Sequence, residues 1–355
     1  MSKPNKILKF GVIGAGKIGT YHTKTLAGMP EAKLVGVCDS DAMRAQKLAW
    51  KYNCLPYTNY KDLIPKVDAL VIAVPTQLHM EVGSFALSKN VHCLVEKPIA
   101  STAEEVRKLL KMSESKSALL QVGHSERFNP AVMEAFKHIK NPRFVVIQRM
   151  GPYDSRVSDI GVVLDLMIHD IDLLLTIFDE PIVSFDSVGA SVISDHEDIA
   201  NVRVRFKSGA VADITASRLS FEKARYMRVY QESAYISVDF MNAKIKKYTK
   251  KREAVKSLKD VEVTYPKITP TMPIQAELLH FIDCIHKMKT PWPSGEKGLQ
   301  AVAMALDITD ELQRYEIPKA KESNKAKPGR MVSDLGKAAK VIMDETLHNI
   351  GIDKS

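Results

Sequence analysis

Cysteine is scarce in this chain: of 355 residues only Cys38, Cys54, Cys93 and Cys284 carry a thiol. None stands in a Cys-x-x-Cys spacing or at zinc-finger distance from a histidine. That excludes a disulfide framework and a structural zinc finger, and fits reduced thiols in a cytoplasmic protein. Aromatic residues make up 7%, with two tryptophans, too few for a large stacking platform. No apolar run reaches the roughly 18 residues of a membrane span. Lys9 and Lys17 interrupt the first apolar stretch and no small-residue cleavage pattern follows, so residues 1–18 read as mature structure rather than a signal peptide. An excess of one charge sign is also largely missing. The net charge is +9, but residues 244–259 alone hold eight Lys or Arg against the single acid Glu253. A nucleic-acid binder would spread basic charge over a face with aromatics interleaved, so this run reads as a solvated hairpin tip and no nucleic-acid partner is expected.

What is present is ordinary for a globular protein, with 45% hydrophobic and 26% charged residues, in a length that suits about two domains. In the first third, short apolar runs at 7–13, 33–38, 69–74, 91–95 and 118–122 alternate with amphipathic stretches at 17–28, 41–52 and 77–89. Ser101-Thr-Ala-Glu104 forms a capping box that opens another helix. Continuous apolar strands separated by helices predict a parallel sheet covered on both faces, a doubly wound α/β domain. Beyond residue 128 the texture changes. A strand at 143–149 and an apolar helix at 159–178 precede repeated period-two strands between 182 and 263. These predict an open, mostly antiparallel sheet with helices on one face. Helical patterns return at 275–287 and 296–314, followed by a lysine-rich linker at 319–330 and a last helix at 332–347. The expected division is 1–125, 126–318 and 319–355.

Gly14-Ala-Gly-Lys17-Ile18-Gly19 directly follows the first strand and opens a helix. Gly14 permits the tight turn, Gly16 lets a pyrophosphate approach the backbone, and Gly19 lets helix and strand pack closely. Asp39, at the end of the second strand, is placed to take both ribose hydroxyls. With Asp41 it should repel a 2′-phosphate, so NAD is favoured over NADP, Arg44 being a reservation. Ala73, Pro75 and Thr76 end the third strand at the carboxyl edge where ligands bind, and His79 follows them.

Chemistry-bearing groups come from two further places. Glu96-Lys97-Pro98 follows the fourth strand, so Lys97 points toward the crevice. In the helix from 161 to 175, Asp165, His169 and Asp172 fall within about 60° of one another at helical spacing, on a helix otherwise nearly all aliphatic. An Asp four residues before a His can orient the ring and tune it for proton transfer. A buried Asp–His pair that only fixes the fold, or a metal site, are the alternatives; no further ligand cluster stands out and no metal is expected. With NAD as hydride acceptor, Lys97 and His169 can share the hydroxyl of a secondary alcohol while Asp165 orients His169.

In their order and spacing, these motifs resemble the Gfo/Idh/MocA oxidoreductases over roughly residues 6–315. The resemblance implies a Rossmann domain followed by an α/β domain with an open sheet. It also implies a Lys–Asp–His catalytic set falling on Lys97, Asp165 and His169, and a homodimer or homotetramer. Met167 and Ile160-Gly161 depart from the glycines usual in that helix, which suggests a different pocket floor. Val122-Gly-His-Ser-Glu-Arg127-Phe-Asn129-Pro130 and Val163-Leu-Asp-Leu-Met-Ile-His-Asp-Ile-Asp172 further resemble the branch of UDP-N-acetylglucosamine 3-dehydrogenases. That implies oxidation of a sugar-nucleotide C3 hydroxyl, with an aminotransferase as a possible next enzyme. Arg127 and Asn129 are expected to contact sugar or diphosphate, with Arg149, Tyr153 and Arg218 as weaker candidates. A free sugar or cyclitol substrate, or a non-catalytic NAD sensor, are the competing readings.

Overall fold

The computed structural model describes residues 6–154 and 160–314. The expected linker and last helix, with the whole 319–355 segment, lie outside the described residues, as does the start of the helix expected from 159. The first layer alternates strand and helix: β1 (Leu8–Ile13), α1 (Lys17–Ala27), β2 (Ala32–Cys38), α2 (Ala42–Lys51), β3 (Leu55–Tyr57), α3 (Tyr60–Leu63), β4 (Ala69–Ile72), α4 (His79–Ser88), β5 (His92–Glu96), α5 (Ala103–Lys116) and β6 (Leu120–Gly123). The strands form one parallel sheet in the order β3-β2-β1-β4-β5-β6. β4 and β6 are buried along their whole length, the signature of strands covered on both faces. Strand order reverses between β1 and β4, and at such a switch point the carboxyl ends of the strands open a crevice. β3 escapes sequence reading because it is three residues long and contains Pro56, which an edge strand tolerates. The helix cap after β5 also lies one residue later than expected: Thr102 accepts from the Glu105 amide, and the Glu105 carboxylate accepts from the Ser101 amide.

After α6 (Pro130–Phe136) the chain enters the second sheet, built from β7 (Pro142–Met150), β8 (Ile182–Ala190), β9 (Ile199–Phe206), β10 (Val211–Ser217), β11 (Ala224–Gln231), β12 (Ala234–Asp239), β13 (Lys244–Lys250) and β14 (Val261–Thr264). Its order is β14-β13-β12-β11-β7-β10-β9-β8, and only the β7–β10 pair is parallel. Val145, Ile147 and Arg149 of β7 are buried, alternating with partly exposed neighbours; α7 (Ile168–Phe178) packs against that covered face. The other face carries a cross-strand ladder of Phe144, Tyr230, Tyr235 and Tyr248, with successive ring centroids 5.7, 4.8 and 5.3 Å apart. The basic run forms β13 and the turn after it, where the Asp260 carboxylate accepts the Lys256 and Ser257 amides and pairs with Arg252.

Two last helices, α8 (Pro273–Lys287) and α9 (Gly295–Arg314), return toward the first sheet. Leu278, Phe281, Ile282 and Ile285 of α8 join Phe10 and Leu26 in one buried cluster, with Phe281 edge-on to Phe10 at 6.3 Å. Each such buried side chain contributes about 1.5–3 kcal/mol. A helix expected in the second domain therefore covers the first sheet, because its apolar stripe says that it is buried but not against what.

Candidate active site

The glycine turn has the geometry a dinucleotide needs. Gly14 has φ +101°, and a Cβ there would lie 2.3 Å from the Ala73 carbonyl oxygen; one at Gly19 would lie 1.8 Å from the Gly14 carbonyl oxygen. At Gly16 a Cβ would meet nothing within 4 Å, so the backbone is open to an approaching phosphate. Gly16 also precedes α1, whose first amides have no side-chain cap and favour an anion. Asp39 braces this loop: its Oδ2 accepts the Ala15 amide at 2.7 Å, and its Oδ1 accepts the Asp41 amide at 2.9 Å and pairs with Arg44 at 3.2 Å. Gly14, Gly16, Lys17, Ile18, Asp39, Ala73 and Pro75 line one crevice of about 630 Å³. Ser40, Thr58, Asn59, Tyr60, Leu78 and Glu81 line it too. Sequence reading missed these, since they belong to loops and helix ends with no motif of their own. Thr76 begins the short turn between Pro75 and Leu78. His79 is a correction: it is buried, and its two ring nitrogens lie 2.9 Å from the carbonyl oxygens of Pro98 and Val74. These contacts engage both ring nitrogens of His79 and fasten the strand ends together. Burial lowers its pKa against the pull of those carbonyls.

Lys97 leaves the end of β5 toward the second sheet, ahead of a cis peptide bond to Pro98. Its Nζ donates to the Asp165 carbonyl oxygen at 2.7 Å and lies 3.3 Å from the Asp165 Oδ1. Asp165 sits in a π-helical turn, Val163–Met167, that leads into α7. Such turns concentrate at functional sites because they re-aim a side chain within a helix. Glu197 anchors the turn: its carbonyl oxygen accepts the Val162 amide at 2.9 Å and its carboxylate the Val163 amide at 3.2 Å. Gly161 leaves room for that carboxylate, which a Cβ there would meet at 1.9 Å. His169 follows on α7, partly exposed, with Nδ1 buried and unpartnered. Burial, then the Lys97 and Arg149 cations, hold its pKa well below the usual histidine value, so it is neutral at physiological pH. The expectation that Asp165 orients His169 is corrected. The wider π winding breaks the assumed spacing, and among the described residues the partner of Asp165 is Lys97 rather than His169.

Several residues expected to contact substrate are paired within the protein. Arg127 is buried and donates Nε and Nη2 to Asp172 at 2.7 and 2.5 Å, with Nη1 on the Trp292 carbonyl oxygen. That pairing commits Asp172, which helical spacing aligned with Asp165 and His169, to Arg127. Asn129 caps α6 through the Ala131 amide and donates to the Phe240 carbonyl oxygen. Arg149 is buried between Asp170 and Glu126. Arg218 is buried on Asp198 at 2.7 Å and also donates to the Ile160 carbonyl oxygen and the Ser194 hydroxyl. Tyr153 remains exposed beside it, its ring centroid 5.3 Å from the guanidinium carbon. Met167 is buried in the core.

Glu96 likewise turns away from solvent: its Oε1 lies 2.7 Å from His22 Nε2 and its Oε2 accepts the Lys97 amide. Burial pushes this carboxyl up, but His22 and Lys97 outweigh it and hold it below its ordinary value. Beside it, Glu277 on α8 is fully buried and neither carboxyl oxygen has a partner. Burial, and the nearby Glu96 and Asp172, raise its pKa well above the usual value. Ligand-type atoms of His22, Glu96 and Glu277 lie within 4.8 Å of one another, a cluster no sequence motif announces.

The Gfo/Idh/MocA oxidoreductase profile for an NAD-binding Rossmann fold matches residues 8–124, and the C-terminal domain profile of the same family matches residues 141–237. The chain belongs to the Gfo/Idh/MocA family. It is an NAD-dependent oxidoreductase acting on CH–OH groups. UDP-N-acetylglucosamine 3-dehydrogenase of Acidithiobacillus ferrooxidans is 32% identical over 309 residues, spanning 87% of this chain and 98% of the relative. Its solved structure matches with a TM-score of 0.82 at 31% identity, with the same shares of the two chains covered. Inositol 2-dehydrogenase of Rhizobium meliloti is 30% identical over 322 residues, covering 84% of this chain and 94% of that one. No helix among the described residues is long and apolar enough to cross a membrane.

Proposed function

We propose that this member of the family oxidises the C3 hydroxyl of UDP-N-acetylglucosamine to a 3-keto sugar nucleotide. Lys97, held on Asp165 at 3.3 Å beside a neutral His169, carries the chemical part of that reading. The choice of substrate rests on the 32% identity to the Acidithiobacillus enzyme over nearly its whole length. Bound NAD supplies the hydride acceptor. The Gly14–Gly19 turn, open at Gly16 and braced by Asp39, has the backbone amides and carboxylate to hold it. As the C–H bond gives up its hydride, the hydroxyl proton passes to the Lys97 amine, which has first released its own proton to solvent, and the C–O bond becomes a carbonyl. Asp165 stabilises the ammonium so formed, and His169 holds the reacting oxygen by a hydrogen bond.

A cyclitol substrate is the second reading, supported by the 30% identity to the inositol enzyme over 94% of its length. Purified protein with NAD is offered UDP-N-acetylglucosamine, glucose and myo-inositol in parallel, in mildly alkaline buffer with a ketone trap, and NADH absorbance is followed. NADH with the UDP-sugar alone is the expected result. Turnover of myo-inositol without the UDP-sugar rejects the proposed substrate and leaves the family intact. NAD binding with no turnover of any of the three favours a non-catalytic sensor.

A further inference from the structure

Arg225 is the second residue of β11 and stands directly opposite Arg149 of β7 in the antiparallel register. Residues paired in this way point to the same side of a sheet. The pairs that follow, Met227 with Ile147 and Val229 with Val145, are buried on the covered face. Arg225 therefore points to the face against which α7 packs. The two arginines differ in what they meet. Arg149 is saturated by Asp170 of α7 and by Glu126, with donor–acceptor distances from 2.7 to 3.1 Å. The Arg225 guanidinium is half-buried, and among the described residues it has no hydrogen bond or ion pair. The carboxylates that act on the Arg225 charge, Glu126, Asp170 and Asp165, are already paired, the first two with Arg149 and the last with Lys97. Burial and the neighbouring Arg149 cation both work against its charge. A cation so placed is costly unless an anion completes it.

We propose that Arg225 receives the diphosphate of the substrate, beside the helix that carries His169. A guanidinium presents a planar fork of N–H donors that matches phosphate oxygens two at a time. A neutral sugar or cyclitol makes no use of such a group, so Arg225 selects nucleotide-linked sugars over free ones. The inference rests on the sugar-nucleotide reading and names the residue that enforces it. Arg225 is absent from the lining of the dinucleotide crevice, so it acts on substrate rather than NAD.

The test uses the full-length NAD-loaded protein, with UDP as the binding probe and UDP-N-acetylglucosamine as the substrate. Arg225→Gln should raise the UDP Kd and the UDP-sugar KM by on the order of 10- to 100-fold, the worth of hydrogen bonds to a charged group. NAD affinity should stay at the wild-type value, and Arg225→Lys should recover part of the loss. If the wild type turns over the UDP-sugar and Arg225→Gln binds UDP equally well, the inference falls and the substrate reading stands. A wild type that neither binds UDP nor oxidises the UDP-sugar removes both. Loss of NAD binding together with UDP binding, in both variants, makes Arg225 a structural residue and overturns the inference.

Discussion

Asp172 and Glu277 are both buried carboxyl groups, and their neighbours give them opposite behaviour. Asp172 meets the Arg127 guanidinium through two N–H donors, whereas Glu277 meets no donor at all. Removing one member of a buried pair strands the other, so Asp172→Asn should lower unfolding free energy by about 3–5 kcal/mol, read by denaturant titration. An unchanged midpoint with a raised substrate KM would instead return Arg127 to the substrate site. Glu277→Gln should do the reverse. Below the ordinary glutamate value of 4.5 the carboxyl is protonated in both folded and unfolded chains and adds no pH dependence. Above it the unfolded chain ionises while the fold keeps its proton, so wild-type stability falls as pH rises, by roughly 1.4 kcal/mol per pH unit until the raised folded pKa is passed. The variant lacks that loss. It should match the wild type near pH 4.5 and exceed it at neutral pH, in paired urea titrations across that range; parallel curves would mean that Glu277 is ionised in the fold.

At the scale of elements, the placement of Asp165 depends on the π-helical turn and the Glu197 anchor more than on helix propensity. Gly161→Ala drives a methyl into the Glu197 carboxylate and should push it off the Val163 amide, releasing the turn it anchors. Misplacing a reacting group by about 1 Å can cost on the order of 100-fold in rate. A kcat loss of that order with NAD affinity retained is the expected outcome, and an unchanged kcat would show that the anchor is dispensable. This turn also marks where sequence reading stops. The strands of the first sheet were legible from their continuous apolar runs, and Gly14 to Gly19 from the backbone demands of the turn. The position of Lys97 at the end of a strand was legible from the apolar run before it. Arg127, Arg149 and His79 have protein partners that the sequence did not announce, because a charged or titratable side chain does not reveal a partner that the fold brings from a distant position. Asp172 lies 45 residues beyond Arg127. Asp165 kept a place in the site but with a different partner, because spacing arguments assume α-helical winding and the turn departs from it.

On the scale of the whole molecule, the two sheets divide the work. The first holds the glycine turn and Asp39 at its switch point, and the second supplies the helix bearing Asp165 and His169, with Lys97 reaching across from β5. The open face of the second sheet keeps its Phe144–Tyr230–Tyr235–Tyr248 ladder on the side away from α7. The expected homodimer or homotetramer would have two or four times the 39.6 kDa chain mass. Light scattering after gel filtration reads this directly, and a monomer at micromolar concentration would contradict it. The measurement that bears most directly on the chemistry compares wild type with Lys97→Met, using whichever alcohol the wild type oxidises and following NADH formation alongside NAD binding. The expected result is a kcat reduced by at least about 100-fold, the scale of a lost proton acceptor, with NAD affinity within a few-fold of wild type. Turnover by Lys97→Met at near the wild-type rate would contradict the assignment of Lys97 as the group that takes the hydroxyl proton.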